Sequence, residues 1–231
     1  MDFLRAELCL AEGISSAQAD ALPITTVAQR LRILAMDAEA HRQSLEELGS
    51  AEKSVCPDWD KLLAVVRNIP VGKAGADPYE KAIEELLTAL FSPSLTDPQV
   101  QRRIHEGRKR IDITYTNVAR AGFFHWLSSH YEAPHVFVEC KNYEGDIENP
   151  ELDQLSGRFS PSRGRFGLLV CRRLEKKELF IRRCRDTAQD DRGFIIALDN
   201  EDLAVLVQAR KEQNVIKQFK LLKERFDPLI M

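Results

Sequence analysis

Four short apolar, β-branched runs dominate the second half of the chain: RIDITYTN (110–117), HVFVECKNY (135–143), FGLLVCRR (166–173) and GFIIALD (193–199). Each is seven to nine residues long and bounded by polar or turn-forming residues, so each reads as a buried strand. Helical patterns lie between them. ARAGFFHWLSSHY (119–131) follows the first. NPELDQLSGRF (149–159) follows the second, with Asn149 as cap and Pro150 in the first turn. KELFIRR (177–183) reads as a possible further strand before the last. Strands alternating with helices imply an α/β fold, a mixed central sheet flanked by helices.

The chain adds helices on both sides of this core. DPYEKAIEELLTALF (77–91) carries a core-facing stripe at 79, 83, 86, 87 and 90, with Asp77 placed to cap it and Pro78 in its first turn. A final helix through LAVLVQARK follows a cap at Asp199 or Asn200, and QNVIKQFKLLKERF either continues it or forms a second. Upstream, Val27, Leu31, Leu34, Ala38, His41, Leu45 and Leu48 step by four and three, a short heptad seam. CPDWDKLLAVVRNI (56–69) reads as another helix capped by Asp58. The Pro/Gly connector PVGKAGADP then marks a boundary: residues 1–70 as a helical region for interaction or regulation, residues 71–231 as the functional domain with C-terminal helices.

Charge narrows the class of partner. The whole chain has a formal charge of −3, but residues 102–185 hold 17 Lys/Arg against 11 Asp/Glu, leaving 16 against 25 elsewhere. The basic runs RRIHEGRKR, RFSPSRGR and RRLEKKELFIRRCR all fall in this segment. Clustered Arg and Lys suit a phosphate backbone, although any single run also fits a solvated face. No apolar run approaches the ~20 residues of a membrane span. Five cysteines, an odd number without CxxC spacing, fit reduced thiols and a cytoplasmic location.

Within the strands, three ionisable residues stand where apolar ones are expected. Asp112 faces away from Ile111 and Ile113, and Glu139 and Lys141 share a face while Cys140 points to the other. If those strands pair, two carboxylates and an ammonium converge at one patch. Carboxylates so placed repel unless a cation lies between them, and carboxylate oxygens with a backbone carbonyl and waters are the ligands Mg²⁺ prefers. A lysine alongside can orient a water, stabilise charge on a phosphate or serve as base. Taken alone, ExK at a strand end is better explained by a structural role such as an ion pair.

Asp112 followed by Glu139-Cys140-Lys141 resembles the D…(D/E)xK motif of the PD-(D/E)XK nuclease superfamily, with its restriction-endonuclease-like fold. YEKAIEELL resembles the acidic helix that opens the Mrr-like branch, DQLSGRF the helix bearing a glutamine, and FGLLVCRR the apolar strand after it. The likeness spans about residues 77–200. The proline that often precedes the first aspartate is replaced by Arg110-Ile111, and GFFHWLSSHY lengthens the gap between Asp112 and Glu139, as an insertion placed near the cleft.

The resemblance implies a metal-dependent nuclease, most simply a DNA endonuclease of prokaryotic restriction or antiviral defence. Asp112, Glu139, the Cys140 carbonyl and Glu80 would hold Mg²⁺, with Mn²⁺ as a substitute. Lys141 would activate water, and Gln154 would orient Lys141 or the phosphate. Arg108, Lys109, Arg110, Arg158, Arg163 and Arg165 are candidate nucleic-acid contacts. Plainer roles stand beside these: Glu84 rather than Glu80 as the inward acid, Gln154 as a surface residue, the loop arginines facing solvent. A non-catalytic nucleic-acid-binding module or assembly subunit on the same fold is the alternative. On either reading the N-terminal helices are expected to mediate a homo-oligomer or bind a protein partner.

Overall fold

The computed structural model describes residues 15–23, 57–104, 109–143 and 145–231, with only the backbone given for 103, 104 and 109. The chain divides into two units, Met1–Cys56 and Pro57–Met231. In the first, α1 (Ser16–Asp20) starts at Ser15, whose side chain and Gln18 form a reciprocal capping box. The heptad seam at 27–48 lies outside the described residues.

The second unit is built on one five-stranded sheet. Its strands are β1 (Leu95–Ile104), β2 (Lys109–Asn117), β3 (His135–Lys141), β4 (Phe166–Cys171) and β5 (Phe194–Leu198), lying side by side in chain order. β1, β2 and β3 run antiparallel, and β4 and β5 then continue parallel to β3. Ile113, Val138, Leu168 and Ile196 form one row across four strands, each almost completely buried. This is the mixed sheet flanked by helices that the apolar runs imply.

Two helices cover opposite faces. Helix α2 (Trp59–Asn68) leads to α3 (Ala76–Phe91), which packs Tyr79, Ile83, Leu86, Leu87 and Leu90 inward. The Tyr115 hydroxyl donates to the Glu84 carbonyl at 3.1 Å, which places α3 on the face of Ile111, Ile113 and Tyr115. α4 (Gly122–His130) joins β2 to β3, and α5 (Asn149–Ser156) crosses from β3 to β4 on the other face. Gly167 of β4 allows close approach there: a Cβ would lie 3.0–3.1 Å from the Leu155 side chain of α5, a tight contact. α6 (Lys177–Gln189) links β4 to β5, and α7 (Asn200–Lys211) and α8 (Val215–Phe226) complete the unit.

Several elements differ from the sequence reading. KELFIRR belongs to α6, because Phe180, Cys184 and Thr187 are the buried positions and follow helical rather than alternating spacing. β1 had no expected counterpart. α3 starts at Ala76 with Gly75 as its cap, so Asp77 lies within the first turn. α2, assigned by sequence to the region before residue 70, belongs to the sheet unit, where Trp59, Leu63 and Val66 join the core. α4 is not near the cleft. It packs with Phe166, Phe194 and Phe226 in an aromatic cluster, and Asn117 pins it by donating to the Phe124 carbonyl at 3.0 Å. That cluster closes the end of the sheet where β2 finishes and β3 begins, roughly 16 Å along the strand from Asp112.

Candidate active site

The opposite end of β2 and β3 gathers the ionisable residues. Ile113 pairs with Val138, so one step further the register brings Asp112 opposite Glu139 on the same face. The Cys140 backbone N–H donates to Asp112 Oδ2 at 2.9 Å and fixes that carboxylate against β3. Lys141 Nζ donates to Glu139 Oε1 at 2.9 Å and to Gln154 Oε1 at 3.1 Å. The Gln154 amide in turn donates to Glu139 Oε1, so α5 ties the two β3 side chains together. Gln154 is therefore no mere surface residue.

From the other face, α3 delivers Glu80. It is buried, whereas Glu84 one turn on accepts a hydrogen bond from Thr88 at 3.0 Å. Glu80 is the inward acid. Arg110, half exposed, bridges the gap: its guanidinium lies 4.0 Å from Glu80 Oε2 and 3.9 Å from Asp112 Oδ1. Arg158, in the turn after α5, is only 8% exposed, and its Nε has no hydrogen-bond partner among the described residues. Its charge acts on both Asp112 and Glu139.

Burial dominates the electrostatics. Glu139 is 1% exposed, Glu80 5% and Asp112 7%. Desolvation raises the pKa of all three; for Glu80 and Glu139 the charge of Asp112 adds to it, and Glu80 is pushed up to about 7. Lys141, Arg110 and Arg158 offset only part of that cost. Among the described residues, Glu80 Oε1 and Glu139 Oε2 are buried without a hydrogen-bond partner. Leaving such oxygens unpaired costs about 1–3 kcal/mol each, so they call for a donor or a cation. Among the described residues no three His, Cys, Asp or Glu side chains stand as a ready-made metal cage. The Cys140 thiol is pushed well up by burial and plays no acid–base part.

The remaining candidates separate. Arg163 folds back to donate to the Arg158 carbonyl at 3.1 Å, and Arg165 pairs with Asp191 at 2.7 Å and Glu132 at 3.3 Å. Arg165 immediately precedes β4, whereas Lys141 is level with Cys171 at its far end, six residues or roughly 20 Å away. Neither arginine reaches the carboxylates, because both are held in the turn that enters β4. Arg108 lies outside the described residues, as does the Lys109 side chain. Gln101 of β1 is a neighbour that the sequence did not flag. It adopts a left-handed φ of 55° and lowers the Glu80 pKa through a hydrogen bond. Its strand escaped notice, so no sequence signal pointed to it.

No family model matches the chain, and no curated protein matches it. Among solved structures, the restriction endonuclease FokI superposes with a TM-score of 0.47 and 14% identity, over 79% of this chain. The chain spans 32% of the length of that protein.

Proposed function

We propose that the chain is a metal-dependent nuclease that hydrolyses phosphodiester bonds, with DNA as the favoured substrate. The observation that carries this reading is the convergence of Asp112, Glu139, Lys141 and Gln154 at one end of the sheet, with buried carboxylate oxygens left unpaired. A structural ion pair explains Glu139 and Lys141 alone. It does not explain why Glu80 and Asp112 are buried beside them at raised pKa.

The donor set fits Mg²⁺, with Mn²⁺ as a substitute: hard carboxylate oxygens from Asp112 and Glu139, the Cys140 carbonyl, and Glu80 directly or through water. Such an ion, when bound, polarises the phosphate and makes water a better nucleophile at neutral pH. The protein's own groups do the positioning. Two of the three Lys141 ammonium donors are engaged by Glu139 and Gln154, which aims the third at an attacking water or a phosphate oxygen. Gln154 locks that orientation through its second bond to Glu139. Arg158, buried with an unpartnered Nε, is suited to neutralise negative charge on the phosphate as the P–O bond breaks. Arg110 is placed to exchange its carboxylate contacts for the nucleic-acid backbone.

DNA is favoured by the basic balance of residues 102–185, and a cytoplasmic role in prokaryotic restriction or antiviral defence follows from the resemblance. The N-terminal region is proposed to carry self-association or docking of a protein partner. The direct test incubates the protein with plasmid, linear duplex, single-stranded DNA and RNA in Mg²⁺, Mn²⁺ or EDTA. Ion-dependent cleavage is expected, most strongly of DNA. No cleavage of any substrate would refute the catalytic reading, and the absence of ion binding by calorimetry as well would favour the binding module.

A further inference from the structure

A buried arginine outside the carboxylate cluster has no acidic partner among the described residues. Arg172, one residue past β4, donates from Nη1 to the Val66 carbonyl at 2.7 Å and from Nη2 to the Ile69 carbonyl at 2.7 Å. These are the last carbonyls of α2 and its cap, a natural seat for a cation. Its Nε donates to Asn142 Oδ1 at 2.7 Å, and its guanidinium lies 4.3 Å from the centre of the Tyr79 ring. Asn142 directly follows Lys141, and Tyr79 directly precedes Glu80.

Asn142 spends its remaining polar groups on the connector between α2 and α3. Its side-chain amide donates to the Pro70 and Gly72 carbonyls at 3.0 and 3.1 Å, and its own carbonyl accepts from the Gly72 N–H at 2.8 Å. The brace satisfies the carbonyls of Val66, Ile69, Pro70 and Gly72, which an apolar pair would leave without these donors. It also fixes the register between the end of β3 and the start of α3, the two elements that deliver Lys141 and Glu80.

We propose that Arg172 and Asn142 are positioning residues for the candidate active site, holding Lys141 and Glu80 in mutual register against the end of α2. The inference rests on the nuclease reading of that site. Neither residue touches the carboxylates through any hydrogen bond described above. Their effect reaches the site through the backbone of residues 141–142 and through the Tyr79 ring. Supports one step removed from metal ligands typically change affinity or activity by about 10–100-fold when lost.

The test uses the full chain and a fluorescent duplex DNA in Mn²⁺ or Mg²⁺, comparing wild type with Asn142→Ala, Arg172→Lys and the control Arg173→Ala. Arg173 is exposed and, among the described residues, pairs with exposed Glu175. The expected result is a fall in kcat of at least about tenfold for the first two variants, with KM and the melting transition near wild type and Arg173→Ala unchanged. Wild-type kcat in either brace variant overturns the inference and leaves the nuclease reading intact. A loss that only tracks the unfolded fraction, or two variants that do not fold, overturns it as well by assigning the brace to stability alone. A wild-type protein that cuts nothing removes the nuclease reading and the inference with it.

Discussion

Replacing Glu80 by Gln removes one charge from a buried acidic cluster and leaves the volume nearly unchanged. Glu80 titrates near 4.5 when unfolded and at about 7 when folded, chiefly because burial and Asp112 oppose its ionisation. Between those values the folded state keeps a proton that the unfolded state has lost. Stability therefore falls as pH rises from about 4.5 to about 7 and levels off above that. At 1.36 kcal/mol per pKa unit the ceiling of that loss is about 3 kcal/mol. Solvent screening through half-exposed Arg110 lowers it to about 1–3 kcal/mol. Glu80→Gln loses this share of the slope and keeps those of Asp112 and Glu139, and by removing a negative neighbour it also eases the ionisation of Asp112. In EDTA, urea denaturation should find the two proteins equally stable near pH 4.5 and the variant more stable by about 1–3 kcal/mol at pH 8. Adding Mg²⁺ at pH 8 should stabilise wild type more than the variant, since the ion binds the charged form. A variant less stable than wild type at pH 8 in EDTA, or one with the same pH slope, would refute the electrostatic account of the cluster.

Two further substitutions test the framework around the site. Gly167→Ala should cost about 1–3 kcal/mol by thermal melting, because the added methyl meets Leu155 at 3.0–3.1 Å, and it should reduce cleavage by displacing α5 and Gln154; full stability would contradict that packing. Arg165→Ala should cost about 1 kcal/mol or less and leave cleavage unchanged, since it breaks only exposed pairs with Glu132 and Asp191; a loss of DNA affinity would restore it as a nucleic-acid contact.

The legible parts of this protein are those governed by strand alternation and helix stripes. Asp112, Glu139 and Lys141 stood out because each occupies a side-chain position in an otherwise apolar strand, and β2–β3 pairing then left few ways to arrange them. Pro150 marked the start of α5, and Gln154 within it stood out only through the resemblance of DQLSGRF to a glutamine-bearing helix. Glu80 was distinguishable from Glu84 only once Tyr115 had fixed the rotation of α3. β1 was not legible, since Asp97 and Gln101 adopt left-handed conformations that break its alternation and Pro98 reads as a loop. α6 was misread because the Leu179–Ile181 run is apolar in sequence although only Phe180 is buried. Arg163 and Arg165 carried the same charge signal as Arg158, and only the fold reveals which guanidinium turns toward the carboxylates. The Arg172 brace joins residues more than a hundred positions apart, a distance no local pattern spans.

The central claim is that Lys141 is held by Glu139 and Gln154 for chemistry on a phosphodiester. Single-turnover cleavage of duplex DNA in Mg²⁺ by wild type and by Lys141→Ala, with both proteins shown to be folded and to bind the DNA equally, tests it most directly. The account predicts ion-dependent cleavage by wild type and a rate reduced by about 100-fold or more in the variant. Equal rates in the two proteins, or no cleavage by a folded wild type that binds DNA and metal, would contradict it.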